Sequence, residues 1–196
     1  MRGERQLFDR LGFRLESGGL LYLRGANGAG KTSLLRILCG LSRAEAGQVL
    51  WNGVPIDELG ERFRRDLFYL GHQNALQEAL TVNENLAFYG ALAGAIPSDA
   101  DTVNTLARLG LQGCQNRLVR HLSQGQKRRV ALSRLVLHHA NLWVLDEPFV
   151  GLDQGAIQVL VDLVTAHLGK GGLAVLTSHQ QVDTGAVRPQ VLELNA

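Results

Sequence analysis

The segment Gly25-Ala26-Asn27-Gly28-Ala29-Gly30-Lys31-Thr32 constrains this chain most, because it fits the phosphate-loop pattern GxxxxGK[ST]. It follows an apolar run at residues 20–23 and precedes apolar residues at helical spacing, so it joins a buried strand to a helix. Glycines allow backbone N–H groups to converge on phosphate oxygens, and the helix N-terminus adds partial positive charge. An ordinary glycine-rich turn is the alternative interpretation.

The phosphate-loop interpretation assigns a role to each polar group. Lys31 is predicted to contact the β- and γ-phosphates of a nucleotide, and the Thr32 hydroxyl to ligate Mg²⁺. The predicted nucleotide-binding residues are Gly25, Ala26, Asn27, Gly28, Ala29, Gly30, Lys31, Thr32 and Ser33.

Two acids end an apolar strand further along the chain. Asp146 and Glu147 follow Leu142-Trp143-Val144-Leu145, and in an open α/β sheet ligands bind at the carboxyl ends of the strands. Asp146 is predicted to hold Mg²⁺, and Glu147 to activate the attacking water as general base. The alternative is a solvated turn, since Pro148 follows.

Short apolar strands alternate with helical segments along the chain. Further strands are predicted at residues 67–70, 142–145, 173–176 and 191–194, and a hairpin with a type I′ turn at Asn52-Gly53. This order indicates a mostly parallel sheet flanked by helices, with a small antiparallel β portion. Residues 76–136 are helical in pattern. We therefore predict one α/β domain over residues 1–196, in which 1–75 and 137–196 form the core and about 76–136 form an inserted helical lobe.

Composition limits the class of partner. The 196 residues carry a net charge of +2, which does not predict a broad nucleic-acid-binding face. Lys127-Arg128-Arg129 is interpreted as a solvated helix face. Cys39 and Cys114 lack metal-ligand spacing and are predicted to be buried thiols in a reducing compartment. Neither a secretory signal nor a long apolar segment is visible, so a soluble cytoplasmic protein is expected.

A third motif indicates the family. Leu122-Ser123-Gln124-Gly125-Gln126 is an LSxGQ segment about 90 residues after the phosphate loop, and His179 follows the acidic pair by about 30 residues. The ordered set resembles the ATP-binding cassette (ABC) ATPases over nearly the whole chain. The resemblance implies an ABC-type nucleotide-binding domain with a RecA-like core, which binds ATP and Mg²⁺ and hydrolyses ATP to ADP and phosphate.

Further site residues follow from the resemblance alone. Gln73 matches the loop glutamine that contacts Mg²⁺ and water and senses the membrane partner, and His179 matches the histidine that contacts the γ-phosphate. Ser123, Gly125 and Gln126 match the signature that contacts ATP on the opposite subunit, and Asp153 the loop that links the two sites. By itself, Gln73 would be an ordinary loop residue, and His179 a packed or surface histidine.

Within the superfamily, residues 25–53, 67–76 and 122–153 are similar to the ATPase subunits of cytochrome c maturation (haem exporter) transporters. That family couples ATP hydrolysis to a membrane subunit in haem delivery to c-type cytochromes. The resemblance implies a second copy of the chain, an integral membrane subunit and further cytochrome c maturation proteins as partners, and no nucleic acid. It implies a peripheral position on the cytoplasmic side of the bacterial inner membrane.

The N-terminus departs from the family pattern. ABC ATPases usually begin with a strand and an aromatic residue that stacks on adenine, about 25 residues before the phosphate loop. Residues 1–6 are too short for that strand, and the aromatic position falls near Arg2. We expect either that the start codon is assigned too late or that the chain is a fragment. Phe8 and Phe13 are predicted to make core contacts.

Three other functions would use all or part of the same set of motifs. Another small-substrate or multidrug ABC exporter would share every motif described. A soluble P-loop kinase is disfavoured by the LSQGQ segment and His179. A non-transport ABC protein that remodels nucleic acid or ribosomes usually has two cassettes or long insertions, whereas this chain has one cassette and nearly neutral charge.

Overall fold

The computed structural model describes residues 7–178 and 188–194. Its strands are β1 (Leu20–Gly25), β2 (Leu50–Trp51), β3 (Val54–Pro55), β4 (Leu67–Leu70), β5 (Leu142–Leu145), β6 (Leu173–Thr177) and β7 (Gln190–Leu194). Its helices are α1 (Lys31–Leu38), α2 (Ile56–Leu59), α3 (Glu61–Asp66), α4 (Val82–Leu92), α5 (Asp99–Arg108), α6 (Gln124–Leu137) and α7 (Gln154–Gly169). In this part of the chain, none of the helices is long and apolar enough to cross a membrane.

Five strands form one parallel sheet in the order β4-β5-β6-β1-β7. Strands β2 and β3 form a separate antiparallel pair. The predicted fold class, a mostly parallel sheet with helices and a small antiparallel portion, is confirmed. Because all five strands point the same way, the segments after β1, β4, β5 and β6 leave the sheet at one edge. The predicted site residues lie in those segments.

The hairpin shows how local chemistry determines the second sheet. Asn52 and Gly53 have φ angles of 51° and 80°, as a type I′ turn requires, so this prediction is confirmed. The short helices α2 and α3 that follow were not predicted, because four and six residues are too few for helical periodicity to be visible. Tertiary contacts stabilise them: the Trp51 indole N–H donates to Asp66 over 2.8 Å.

Side chains on the two faces of the sheet form two hydrophobic clusters. Along β1, Leu20 and Tyr22 pack on the face covered by α6 and α7, and Leu21 and Leu23 on the face covered by α1. Partly buried aromatic rings at Phe8 and Phe13 pack against the second cluster, as expected. The adenine-stacking position expected near Arg2 lies outside the described residues.

A third cluster lies between α4, α5 and the start of α6. Its members include Val82, Leu86, Leu106, Val119 and Val130. Helix α6 belongs to two clusters, because Val130 packs here while Ala131 and Leu132 pack against the sheet. The helical segment thus has its own core and is joined to the sheet through α6. The boundaries of 76 and 136 for a separate lobe stay a prediction.

Both cysteines are free and buried, as predicted. Cys39 packs in the cluster beneath α1, and Cys114 in the cluster around α4 and α5. Burial raises the pKa of the Cys39 thiol to about 12. A thiol with that pKa is protonated at neutral pH and is a poor nucleophile.

Candidate active site

The phosphate loop connects β1 to α1 through glycines in backbone conformations that other residues rarely adopt. Gly30, the N-cap of α1, has φ of 98°, and Gly25 has φ of 149°. A Cβ atom on Gly25 would lie 2.7 Å from the carbonyl oxygen of Leu194. Glycine is therefore required sterically at Gly25, independently of any ligand. The loop curls at the N-terminus of α1, where free N–H groups and the helix dipole favour an anion.

Lys31 lies inside this curl. Its side chain is nearly buried, and its Nζ donates to the carbonyl oxygens of Gly25 over 2.6 Å and Ala26 over 3.2 Å. The ammonium charge is thus held among backbone groups of the same loop. Its role as a phosphate contact stays a prediction.

Asp146 joins the phosphate loop to the end of the neighbouring strands. The hydroxyl of Thr32 donates to Asp146 Oδ2 over 2.9 Å, and the hydroxyl of Thr177 donates to Asp146 Oδ1 over 2.6 Å. Asp146 is 3% exposed, so both carboxylate oxygens are oriented within the protein. A hydroxyl and a carboxylate oxygen side by side are ligand types that Mg²⁺ prefers. Two of the three predicted metal ligands, Thr32 and Asp146, are therefore adjacent and chemically suited to that ion.

Glu147 adopts an unusual backbone conformation. Its φ of 47° lies in the left-handed region, which costs a residue other than glycine about 1–3 kcal/mol. The surrounding structure holds it there. Its N–H donates to Thr177 Oγ1 over 2.7 Å, and its carbonyl oxygen accepts from Arg128 over 2.8 Å. The backbone turn redirects the chain where β5 ends, so the position of the acid is determined by its neighbours.

The prediction that residues 127–129 form a solvated face is wrong. Arg128 is 5% exposed, and burial lowers the pKa of its guanidinium while the charges of Asp146 and Glu147 raise it. Lys127 forms an ion pair with Glu78 at 2.5 Å, and Arg129 one with Asp153 at 3.3 Å.

Helix geometry explains the error. Arg128 shares its face of α6 with the buried residues Ala131, Leu132 and Leu135, at helical spacings of three, four and seven. That pattern in the sequence could have identified the arginine as buried. Consecutive basic residues point in different directions around a helix, so they should not be interpreted as one surface.

Thr177 is the second residue that the sequence analysis missed. It is fully buried, and it contacts both acids by donating to Asp146 and accepting from the Glu147 N–H. The available signal was a polar residue at the end of an otherwise apolar strand. Its importance depends on β6 lying beside β5 in the sheet, which the sequence does not state.

Gln73 is exposed in the loop that follows β4, and β4 lies beside β5. The flanking residues of this loop are anchored, since Gly71 and Asn74 both accept hydrogen bonds from Arg128. The loop is thus tied to the same arginine as the acidic pair. The contacts predicted for Gln73 stay a prediction. His179 lies outside the described residues, immediately after Ser178.

The LSxGQ segment forms the start of α6. Ser123 is the N-cap: its hydroxyl accepts from the Gln126 N–H over 3.2 Å, and its own N–H donates to Gln126 Oε1 over 3.0 Å. This reciprocal capping box explains locally why serine and glutamine are spaced by three. A Cβ on Gly125 would lie 3.0 Å from the carbonyl oxygen of Gly151. The segment therefore lies directly against the 151–153 loop.

Asp153 closes that loop by capping α7, accepting from the Ala156 N–H over 2.8 Å. Its other carboxylate oxygen accepts from Arg129 of α6 over 3.3 Å. The two segments predicted to face a partner subunit are therefore held together. Their contacts across a dimer stay a prediction.

Comparison with known proteins agrees with this geometry. The sequence model of the ABC transporter family matches residues 8–150. A cytochrome c biogenesis ATP-binding export protein, CcmA, of Albidiferax ferrireducens is 60% identical over 195 residues, which are 100% of this chain and 93% of that protein. The chain belongs to the ABC transporter family, in the cytochrome c biogenesis export group. The CcmA protein of Dechloromonas aromatica is 52% identical over 96% of this chain and 93% of its own length.

Solved ABC structures have the same fold. The ATP-binding subunit of one ABC transporter superposes with a TM-score of 0.81 at 28% identity, over 90% of this chain and 75% of that chain. A dimeric ATP-binding cassette with ADP and phosphate has a TM-score of 0.76 over 92% of this chain and 84% of that chain. At 24% identity, this second likeness shows the fold alone. The predicted ABC-type ATPase of the cytochrome c maturation group is confirmed.

Proposed function

We propose that this ABC ATPase hydrolyses ATP with Mg²⁺ at the edge of the sheet and couples hydrolysis to a membrane subunit in cytochrome c biogenesis. The observation that carries the proposal is the 2.9 Å contact between Thr32 and Asp146, which joins the phosphate loop to the acidic pair. The relatives' names support the pathway, because they describe ATP-binding export proteins of cytochrome c biogenesis. Haem delivery is the transport step implied by the sequence resemblance.

Each group has a distinct task in this mechanism. Lys31 and the loop N–H groups bind the β- and γ-phosphates, and Thr32 with Asp146 would hold Mg²⁺. Bound there, the ion would neutralise charge that develops on the phosphate oxygens. Glu147 takes a proton from the attacking water, and the terminal phosphoryl group passes to that water. Gln73 orients the water and His179 contacts the γ-phosphate.

The complete site needs a second copy of the chain. Ser123 begins α6 on the helical side of the molecule, whereas the phosphate loop follows β1 in the sheet. Two copies related by a two-fold axis can place each signature, Ser123, Gly125 and Gln126, over the partner's phosphate loop. Asp153 then lies beside the signature and links the two sites.

The membrane subunit docks at the far end of α4. Phe88 and Leu92 lie one helical turn apart and are 44% and 70% exposed, an apolar patch of the kind that marks interaction sites. Tyr89 of the same helix donates its hydroxyl to the carbonyl oxygen of Ala75, in the loop that carries Gln73. A partner bound on this patch would therefore contact an element tied to the catalytic loop. The subunit would be peripheral on the cytoplasmic side of the inner membrane.

Lys31→Ala tests the nucleotide site directly. We expect the affinity for ATP to fall by at least about tenfold, because a charge-assisted contact to the ground-state phosphates is lost. Equilibrium binding of a fluorescent ATP analogue measures the effect. Lys170→Ala is the matched control, since Lys170 is exposed at the end of α7. An unchanged dissociation constant for Lys31→Ala would contradict the phosphate-loop assignment.

Leu92→Glu tests the docking patch. We expect it to abolish co-sedimentation with native inner-membrane vesicles while leaving the ATPase activity of the isolated subunit unchanged, because an exposed side chain contributes little to folding. Val103→Glu is the control, since Val103 is an apolar residue that is 45% exposed on a different helix, α5. Tight binding of the wild type to protein-free phospholipid vesicles would contradict a protein partner.

A further inference from the structure

We propose that Arg128 is a positioning residue for ATP hydrolysis, which holds the backbone of the acidic pair and the Gln73 loop in one fixed arrangement. The proposal rests on the function proposed above and adds a residue to which that mechanism assigns no task. Arg128 lies on α6, one turn after the start of the signature helix. It therefore connects the segment that faces a partner's nucleotide to the residues that activate water.

The guanidinium of Arg128 uses its full hydrogen-bonding capacity. One terminal nitrogen donates to the carbonyl oxygens of Asp146 over 3.0 Å and Glu147 over 2.8 Å. The other donates to Gly71 O over 3.3 Å and Asn74 Oδ1 over 3.1 Å, and Nε donates to Pro148 O over 3.4 Å. Five acceptors match the five N–H donors that a guanidinium has. Because every N–H donor of this buried guanidinium has an acceptor, these hydrogen bonds determine where the Arg128 side chain lies.

The acceptors belong to two loops that both leave the sheet at the catalytic edge. One loop follows β4 and carries Gln73, and the other follows β5 and carries Glu147. The shortest bond reaches the carbonyl of Glu147, the residue whose φ of 47° needs outside support. Removing the guanidinium of Arg128 would free this backbone and displace the Glu147 carboxylate from the water that it activates. Displacement of a catalytic group by about 1 Å lowers the rate by about 100-fold.

Only a planar guanidinium, whose donors are spread over three nitrogen atoms, can make these contacts at once. Lysine keeps the charge but presents its three donors from a single nitrogen, so it cannot span both loops. Methionine fills the volume of the side-chain stem and leaves all five acceptors without this donor. The pair of variants separates charge from geometry. Since Arg128 touches no phosphate-loop residue among its five partners, nucleotide binding should be retained in both.

The experiment compares Arg128→Met, Arg128→Lys and Arg134→Met in the full chain. Arg134 is the matched control: it lies on the same helix, burial lowers the pKa of its guanidinium, and that guanidinium lies 3.6 Å from the centre of the Tyr89 ring. We expect kcat for Arg128→Met to fall by about 10- to 100-fold with KM for ATP within about threefold. Arg128→Lys should be intermediate, and Arg134→Met within about twofold of wild type.

A second readout separates positioning from a general structural defect. If Arg128→Met binds ATP but positions Glu147 poorly, ATP-bound dimers should accumulate in size-exclusion chromatography, as misfolded protein would not. Glu147→Gln, assayed in parallel, tests the proposed function itself. Undiminished turnover in that variant would contradict the assignment of Glu147 as general base, whereas the effect of Arg128 on kcat is measured separately in the Arg128 variants. Wild-type kcat in Arg128→Met, a rise in KM alone, or an equal loss in Arg134→Met would overturn the proposal. If Arg128→Met does not melt cooperatively, Arg128→Lys decides: lower kcat at unchanged KM supports positioning, and wild-type kcat overturns it.

Discussion

Glu147→Gln is expected to abolish ATP turnover and to leave ATP binding intact. The amide has the shape of the carboxylate but cannot accept a proton from water, and general-base catalysis contributes about 10²–10⁴-fold to rate. The backbone of residue 147 is held by Thr177 and Arg128 through main-chain atoms, so the substitution should not move it. Dimers with trapped ATP should therefore accumulate.

Phosphate release and size-exclusion chromatography in the presence of ATP measure the two parts of this prediction. Glu58→Gln is the matched control, because Glu58 is an exposed glutamate on α2. It should keep wild-type turnover. Wild-type hydrolysis by Glu147→Gln would show that another group activates the water, and the assignment of Glu147 would have to be abandoned.

Coexpression of Lys31→Ala and Ser123→Arg chains is expected to restore part of the activity that each variant lacks alone. In either homodimer, every site has one damaged half. In the mixed dimer, one site combines both defects, and the other combines an intact phosphate loop with an intact signature. Purified mixed dimers, assayed in the assembled transporter, should recover up to about half of wild-type turnover, since one of two sites is whole.

The structure adds a control to this experiment. Ser123→Arg also removes the N-cap of α6, which costs about 0.5–2 kcal/mol of stability. Ser98 caps α5 in the same way, accepting from the Asp101 N–H over 3.1 Å. Ser98→Arg therefore imposes a similar loss of a cap away from the signature, and it should remain active. If mixed dimers are as inactive as both parents, crosslinking of Ser123 to the partner's phosphate loop separates two explanations. A crosslink would indicate that both sites must hydrolyse ATP together, and its absence that the signature acts within one chain.

Local signals in the sequence were sufficient for much of the fold. Apolar runs marked β1, β4, β5, β6 and β7, and Asn52-Gly53 marked the hairpin, since the type I′ turn needs two residues that tolerate positive φ. The capping box at Thr81 and Glu84 marked the start of α4. Helices α2 and α3 were missed because their few residues carry no period and are stabilised by contacts such as Trp51 with Asp66.

The candidate site also combines local signals with contacts between distant parts of the chain. The phosphate loop, the acidic pair and the LSxGQ segment could be located in the sequence, because each is a run of consecutive residues with a recognisable spacing. The contacts of Thr177 with both acids and of Arg128 with two loops are visible only in the folded chain. These contacts depend on strand order and on which face of α6 is buried. Hydrogen bonds between residues far apart in the chain form only where packing brings those residues together, whereas turns and caps form between neighbours.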